Sequence, residues 1–219
     1  MTLKSVVAAA RRAFVGSRES AKAHAERAAG LLDLERALAA TTAGDVQLRR
    51  SWLRSNNSGG AVGYQHMHTE PGAFDVVVFL LPPGSSFPLH DHPGMLVLSQ
   101  LLVGDLRIRS FDWIGEAGAG AGGARAARRR PDVAVEAPLL ERLLPDEGNV
   151  HALSTSSGAA FLDVLSPPYD DRGARPCTYY AEERAAGGNG LLALLTPTDV
   201  RLLDPRFSCV AVAPEGTDQ

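Results

Sequence analysis

The spacing of apolar residues changes character once along the chain. Val7, Ala10 and Phe14, then Leu31, Leu34 and Leu38, recur at three- and four-residue intervals. That period predicts two short amphipathic helices, each packing one face on a larger body. Gly30 separates them, and Thr41 to Gly44 end the second. Residues 55–60 read as a loop. From residue 61 onward the pattern is that of strands. Segments 61–69 and 73–81 are predicted strands, the second a nearly continuous apolar run (FDVVVFLL) stopped by Pro82, Pro83 and Gly84. Residues 95–103 form another, Gly104 and Asp105 read as a tight turn, and Leu106, Ile108 and Ser110 then alternate with Arg107, Arg109 and Phe111. Strands resume at 149–154, 159–165, 177–181 and 191–195, with turn-rich stretches at 156–158, 166–176 and 185–190.

Many short strands with turns roughly every ten residues predict an all-β sandwich or barrel rather than βαβ units. No repeat or linker divides the chain. The reading is one domain over residues 1–210, an antiparallel barrel with helices at 1–43. A glycine- and arginine-rich stretch at 115–130 reads as a mobile surface insertion, and 211–219 as a tail.

Composition narrows the function. The 219 residues carry a net charge of −3, with 45% hydrophobic and 21% charged residues, which argues for a globular protein without a nucleic-acid partner. Residues 1–60 are locally basic, with ten Lys or Arg against five Asp or Glu. Organellar targeting is the rival to a structural helix there. Arg125, Arg128, Arg129 and Arg130 raise a similar choice between a polyanion patch and a solvated loop. Two cysteines, Cys177 and Cys209, make no disulfide framework and suit a reducing compartment. No apolar run predicts a membrane helix, and no coiled-coil repeat points beyond a monomer.

Candidate chemistry lies in the histidines. Of His24, His66, His68, His90, His92 and His151, two pairs have the HxH spacing that puts both rings on one face of a strand. The His90/His92 pair stands in PPGSSFPLHDHPGM, where prolines and glycines stiffen and bend the backbone around it. His151 follows on a distant strand, which a barrel brings to a common interior. The His66/His68 pair is a weaker rival. Asp163, in AFLDVL, shares a strand face with Phe161 and Leu165; a carboxyl buried there needs a partner, and beside a metal it becomes a candidate for orienting substrate.

The stretches PLHDHPGMLVLSQLLVGDLRIRSFDW (88–113) and FLDVLSPPYDDRGARPCTYY (161–180) strongly resemble the plant cysteine oxidase and cysteamine dioxygenase family, and GDVQL (44–48) does so more loosely. The resemblance implies a cupin double-stranded β-helix, or jelly-roll barrel. It implies Fe(2+) held by His90, His92 and His151, and O2 used to convert a thiol to a sulfinic acid. It places the family's carboxylate on Asp163, a proline-tyrosine turn on Pro167, Pro168 and Tyr169, and a cysteine-tyrosine pair, crosslinked in some relatives, on Cys177 and Tyr179. The implied substrate is an N-terminal cysteine of a peptide or protein, with cysteamine as the alternative; a non-catalytic cupin is the reading from another class. An oxygen-dependent N-degron pathway, a hypoxia response and a cytoplasmic or nuclear location are implied with it. Asp91, where plant relatives commonly carry Asn, is expected to face away and do little. Three neutral imidazoles suit the chemistry because they leave the metal its full charge toward a thiolate.

Overall fold

The structure is a computed structural model that describes residues 2–16, 21–54, 61–115, 123–170, 172–173, 175–184 and 191–214. The expected loops at 55–60 and 185–190, the centre of the low-complexity stretch and the last five residues lie outside them.

Two sheets face each other and share one strand. The first is built from β1 (Ala61–Glu70), β2 (Phe74–Leu81), β9 (Ala159–Ser166), the first half of β4 (Leu96–Trp113) and β7 (Leu139–Leu143), paired in that order and antiparallel. A short β12 (Ser208–Ala211) adds to β1 in parallel, the one departure from the antiparallel expectation among these pairs. The second sheet runs from β3 (Ser86–Asp91) through β8 (Val150–Ser154), the second half of β4, β5 (Arg125–Arg129) and β11 (Leu192–Pro197) to β10 (Tyr180–Arg184). A bridge between His90 and Tyr179 brings the end of this sheet back to β3. β6 (Val133–Glu136) lies along β4 at its midpoint. The result is the expected cupin barrel.

The first sheet is covered on both faces, which explains its continuous apolar strands. Its outer face (Phe74, Val76, Val78, Leu80, Ala160, Leu162, Val164) packs on α1 (Leu3–Phe14) and α2 (Ala21–Ala39). The buried stripe of α1 is Val6, Ala9, Ala10 and Ala13, one position round from the predicted one, so Val7 and Phe14 sit at its margin. Gly30 does not separate the helices; it lies inside α2, and Gly16, with φ at 133°, follows α1 instead. A Cβ on Gly30 would stand 2.7 Å from the backbone of Arg12 and Ala13. The missing side chain lets the two helices touch.

Three further expectations are corrected. Gly104 and Asp105 are not a turn: β4 passes straight through them from one sheet into the other. Gly104, at φ 85°, abuts the carbonyl of Gly158. Asp105 accepts hydrogen bonds from the backbone amides of Ser156 and Ser157. These bonds, the Ser157 hydroxyl foremost, hold its carboxyl well below the usual range. The arginine-rich part of the 115–130 stretch is not a mobile loop, because its residues 125–129 form β5. There Ala127 is fully buried, Arg125 lies 4.2 Å over the Trp113 ring, and Arg129 and Arg130 pair with Asp132 and Glu147. Arg125, Ala127 and Arg129 take the covered face and Ala126 and Arg128 the exposed one, an alternation of burial that glycine content and arginine charge concealed. The start of the tail is docked as well: Val212 donates to the Tyr64 carbonyl at 2.8 Å, and Arg49 to that of Ala213 at 3.1 Å.

Candidate metal centre

His90 on β3 and His151 on β8 are direct cross-strand partners. A register shift between Phe87 and His90 breaks the two-residue alternation. Phe87 and His90 therefore both enter the barrel, stacked at 4.7 Å between ring centres, the re-aiming that a bulge produces. His92 follows just past the end of β3. The ligating atoms of His90, His92 and His151 lie within 4.8 Å of one another, the group among the described residues that is arranged to share an ion. His24 lies on α2. His66 contacts Thr69 at 2.7 Å and His68 packs on Phe74, so neither joins the site.

Neighbouring groups set the tautomers. His90 Nδ1 donates to the Pro88 carbonyl at 2.8 Å, leaving Nε2 as the lone-pair nitrogen. Tyr169 donates its hydroxyl proton to the Asp91 carbonyl at 2.7 Å and accepts from His92 Nδ1 at 2.8 Å. His92 Nε2 is then also a lone-pair nitrogen, and it faces His151 Nε2 at 3.1 Å. Metal–nitrogen bonds of about 2.1 Å at right angles would put two ligands about 3 Å apart, so this donor set fits a first-row ion. Burial keeps all three rings neutral: His90 is lowered to about 4, and His92 and His151 fall well below the ordinary value. Neutral imidazole is the ligating form.

Asn149 completes the support. Asn149 accepts from the His92 amide at 3.1 Å and donates to the His92 and Leu144 carbonyls at 2.7 and 3.1 Å. It is two residues from His151, the only sequence signal for its role. Asp91 turns away from the site but is not idle: its carboxylate accepts from the Thr178 amide at 3.0 Å and the Tyr180 hydroxyl at 2.8 Å. These bonds tie the histidine loop to β10.

The histidines open on a cavity of about 50 Å³, walled by Phe79, Phe87, Phe161, Leu153 and Leu165 and also lined by Asp163, Tyr169 and Cys177. Asp163 is 5% exposed, and its Oδ1 has no partner. Burial raises its carboxyl to about 7, against a smaller opposing effect of Ser99. Tyr169 directs its hydroxyl proton to the Asp91 carbonyl rather than into the cavity. Tyr179 stands 6.0 Å from the His90 ring, centre to centre. Burial, then the adjacent Cys177, hold its hydroxyl proton more tightly than usual. The Cys177 side chain interacts with both tyrosines, and neither cysteine forms a disulfide. A larger groove of about 790 Å³ lies on the other face of the second sheet, with Arg109 and Glu182 paired across it at 2.8 Å, and contains none of these histidines.

A family model described as PCO_ADO matches residues 31–196, which include every residue of this site. Plant cysteine oxidase 2 of Arabidopsis thaliana is 37% identical over 139 residues, covering 62% of this chain and 50% of that protein. Plant cysteine oxidase 1 of the same plant is 39% identical over 123 residues, covering 55% and 42%. The 2-aminoethanethiol dioxygenase of Homo sapiens is 37% identical over 144 residues, covering 54% and 52%. The chain spans about half the length of these curated relatives.

Proposed function

The chain belongs to the PCO_ADO family, and from that premise we propose that it is an Fe(2+)-dependent thiol dioxygenase. Its substrate is the N-terminal cysteine of a peptide or protein, whose thiol takes both atoms of O2 to become a sulfinic acid. The observation that carries the reading is one buried cavity in which three neutral imidazoles meet an unpartnered carboxyl. A second cavity of about 490 Å³, sharing His151 with the first, gives room for a chain behind the cysteine and favours a peptide over cysteamine.

When bound, iron supplies the redox chemistry that joins dioxygen to sulfur. His90, His92 and His151 hold it and contribute no negative charge of their own, so an anionic thiolate is drawn into the pocket. Asp163 takes the substrate amine: a neutral amine accepts the proton of its carboxyl, and the ammonium so formed pairs with the carboxylate through Oδ1. Holding the amine fixes the thiol beside the metal, and that proximity is the larger part of the rate gain. Tyr179 keeps its proton at neutral pH and donates a hydrogen bond toward the developing sulfinate. Cys177 spaces the two tyrosines, and the phenylalanine wall excludes water. On this reading the enzyme is a monomer of the cytoplasm with access to the nucleus, and its product feeds an N-degron pathway responsive to hypoxia.

Oxygen uptake by iron-loaded protein with cysteamine, free cysteine and a Cys-Gly-Gly peptide tests this. The peptide is expected to be fastest, with mass spectrometry locating two added oxygens on its thiol. No uptake with any aminothiol would overturn the dioxygenase reading, and a peptide rate no better than cysteamine would overturn the substrate choice.

A further inference from the structure

The outer cavity holds a carboxylate that the chemistry above does not use. Glu141 of β7 is the cross-strand partner of Ser99 on β4, and Ser99 is the partner of Asp163 on β9. Cross-strand partners share a face, so Asp163, Ser99 and Glu141 form one polar row on the inner side of the first sheet. Strand spacing of about 4.8 Å puts the Glu141 backbone roughly 10 Å from that of Asp163. The row runs from the metal cavity, which Asp163 lines, to the outer cavity, which Glu141 lines, and His151 borders both.

The cations of this rim are engaged elsewhere. Arg130 pairs with Glu147 at 3.0 Å and with Asp112 at 3.3 Å, and Arg142 pairs with Glu35. No ion pair among the described residues reaches Glu141. Burial alone acts on its carboxyl, raising its pKa, with no cation to offset it. A half-buried carboxylate in an open cavity is stabilised by a cation that a ligand brings with it.

Building on the dioxygenase reading, we propose that Glu141 selects peptides in which a lysine or arginine follows closely behind the N-terminal cysteine. An extended chain advances about 3.3–3.6 Å per residue. With the cysteine amine at Asp163, the third residue lies about 7 Å further out, within reach of Glu141 for a long basic side chain.

The test uses the full iron-loaded chain and two readouts. The first is anaerobic calorimetry with Ser-Gly-Lys, Ser-Gly-Gly and Ser-Gly-Glu peptides, which bind without being oxidised. The second is kcat/KM for the matching cysteine peptides. The lysine peptide is expected to lead the glycine peptide by about two- to fivefold in both, the range of a partly screened ion pair. Glu141→Gln should level the series and Glu141→Lys should invert it toward the glutamate peptide, ratios that general damage to the fold would not reverse. Equal treatment of the three peptides by the wild type, or an unchanged order in Glu141→Lys, overturns the proposal. A lysine preference in binding with no oxygen uptake would instead remove the dioxygenase reading and leave the role of Glu141 standing.

Discussion

Asn149 makes three hydrogen bonds to backbone groups, two of them to His92, and is 3% exposed. Replacing it by alanine leaves buried polar groups unpaired at about 1–3 kcal/mol each and loosens a ligand's backbone. Asn149→Ala is therefore expected to lower both the urea midpoint and the metal affinity. Tyr169→Phe keeps the ring and removes the bonds to the Asp91 carbonyl and His92 Nδ1 together with the hydroxyl's contact with Cys177. Loss of such a partner typically costs about 10–100-fold in metal affinity; affinity within twofold of wild type in a chelator competition would remove Tyr169 from this role. Asp163→Asn keeps the ligands and loses the charge that pairs with the amine, so iron content should hold while turnover drops by about 10²-fold or more. His151→Ala should abolish both. At this scale the pairing of His90 with His92 was legible because HxH spacing is a local pattern, whereas His151, on a distant strand, was joined to them by the family resemblance, and the structure brings the three together. Asn149, Ser99 and Glu141 were not legible, since their roles depend on which strands lie side by side.

Helix packing and strand continuity turn on single glycines. By helix propensity alone Gly30→Ala would stabilise α2 by about 1 kcal/mol. The added methyl, however, meets the backbone of α1 at 2.7 Å, and overpacking of that kind costs about 1–3 kcal/mol. The clash wins, so Gly30→Ala should lower the urea midpoint; a raised midpoint would mean that the helices part freely. The same residue misled the sequence reading, because a glycine between two periodic runs looks like a break until the neighbouring helix is known. β2 and β9 were legible from their apolar runs, and their burial on both faces explains why. β6, β7 and β12 are four or five residues long with few strongly patterned positions, and only pairing with β4 and β1 makes them strands.

Across the whole molecule, the buried titratable groups make the stability of the metal-free protein depend on pH. His90, His92 and His151 stay neutral in the folded state well below 6.5, whereas an unfolded chain protonates them near that value. Their contribution falls as the pH drops from about 6.5 toward 4. Asp163 acts in the opposite sense: its folded carboxyl keeps a proton up to about 7, so its contribution is complete below about 3.9 and is lost as the pH rises. Between about pH 4.5 and 6 the three imidazoles outweigh the single carboxyl, so the unfolded state binds more protons than the folded one and stability rises with pH. Urea midpoints should therefore climb from pH 5 to 6, and less steeply in His151→Ala. A midpoint that falls over this interval would mean that the rings are charged in the folded protein.

Because β4 runs unbroken through both sheets and is wedged at Gly104 against Gly158, the two walls of the reaction chamber are a single beam. They cannot gape like a clamshell to admit a guest. Prising the walls apart would mean bending that one strand and breaking the ladders it makes with β9 on one side and β8 on the other.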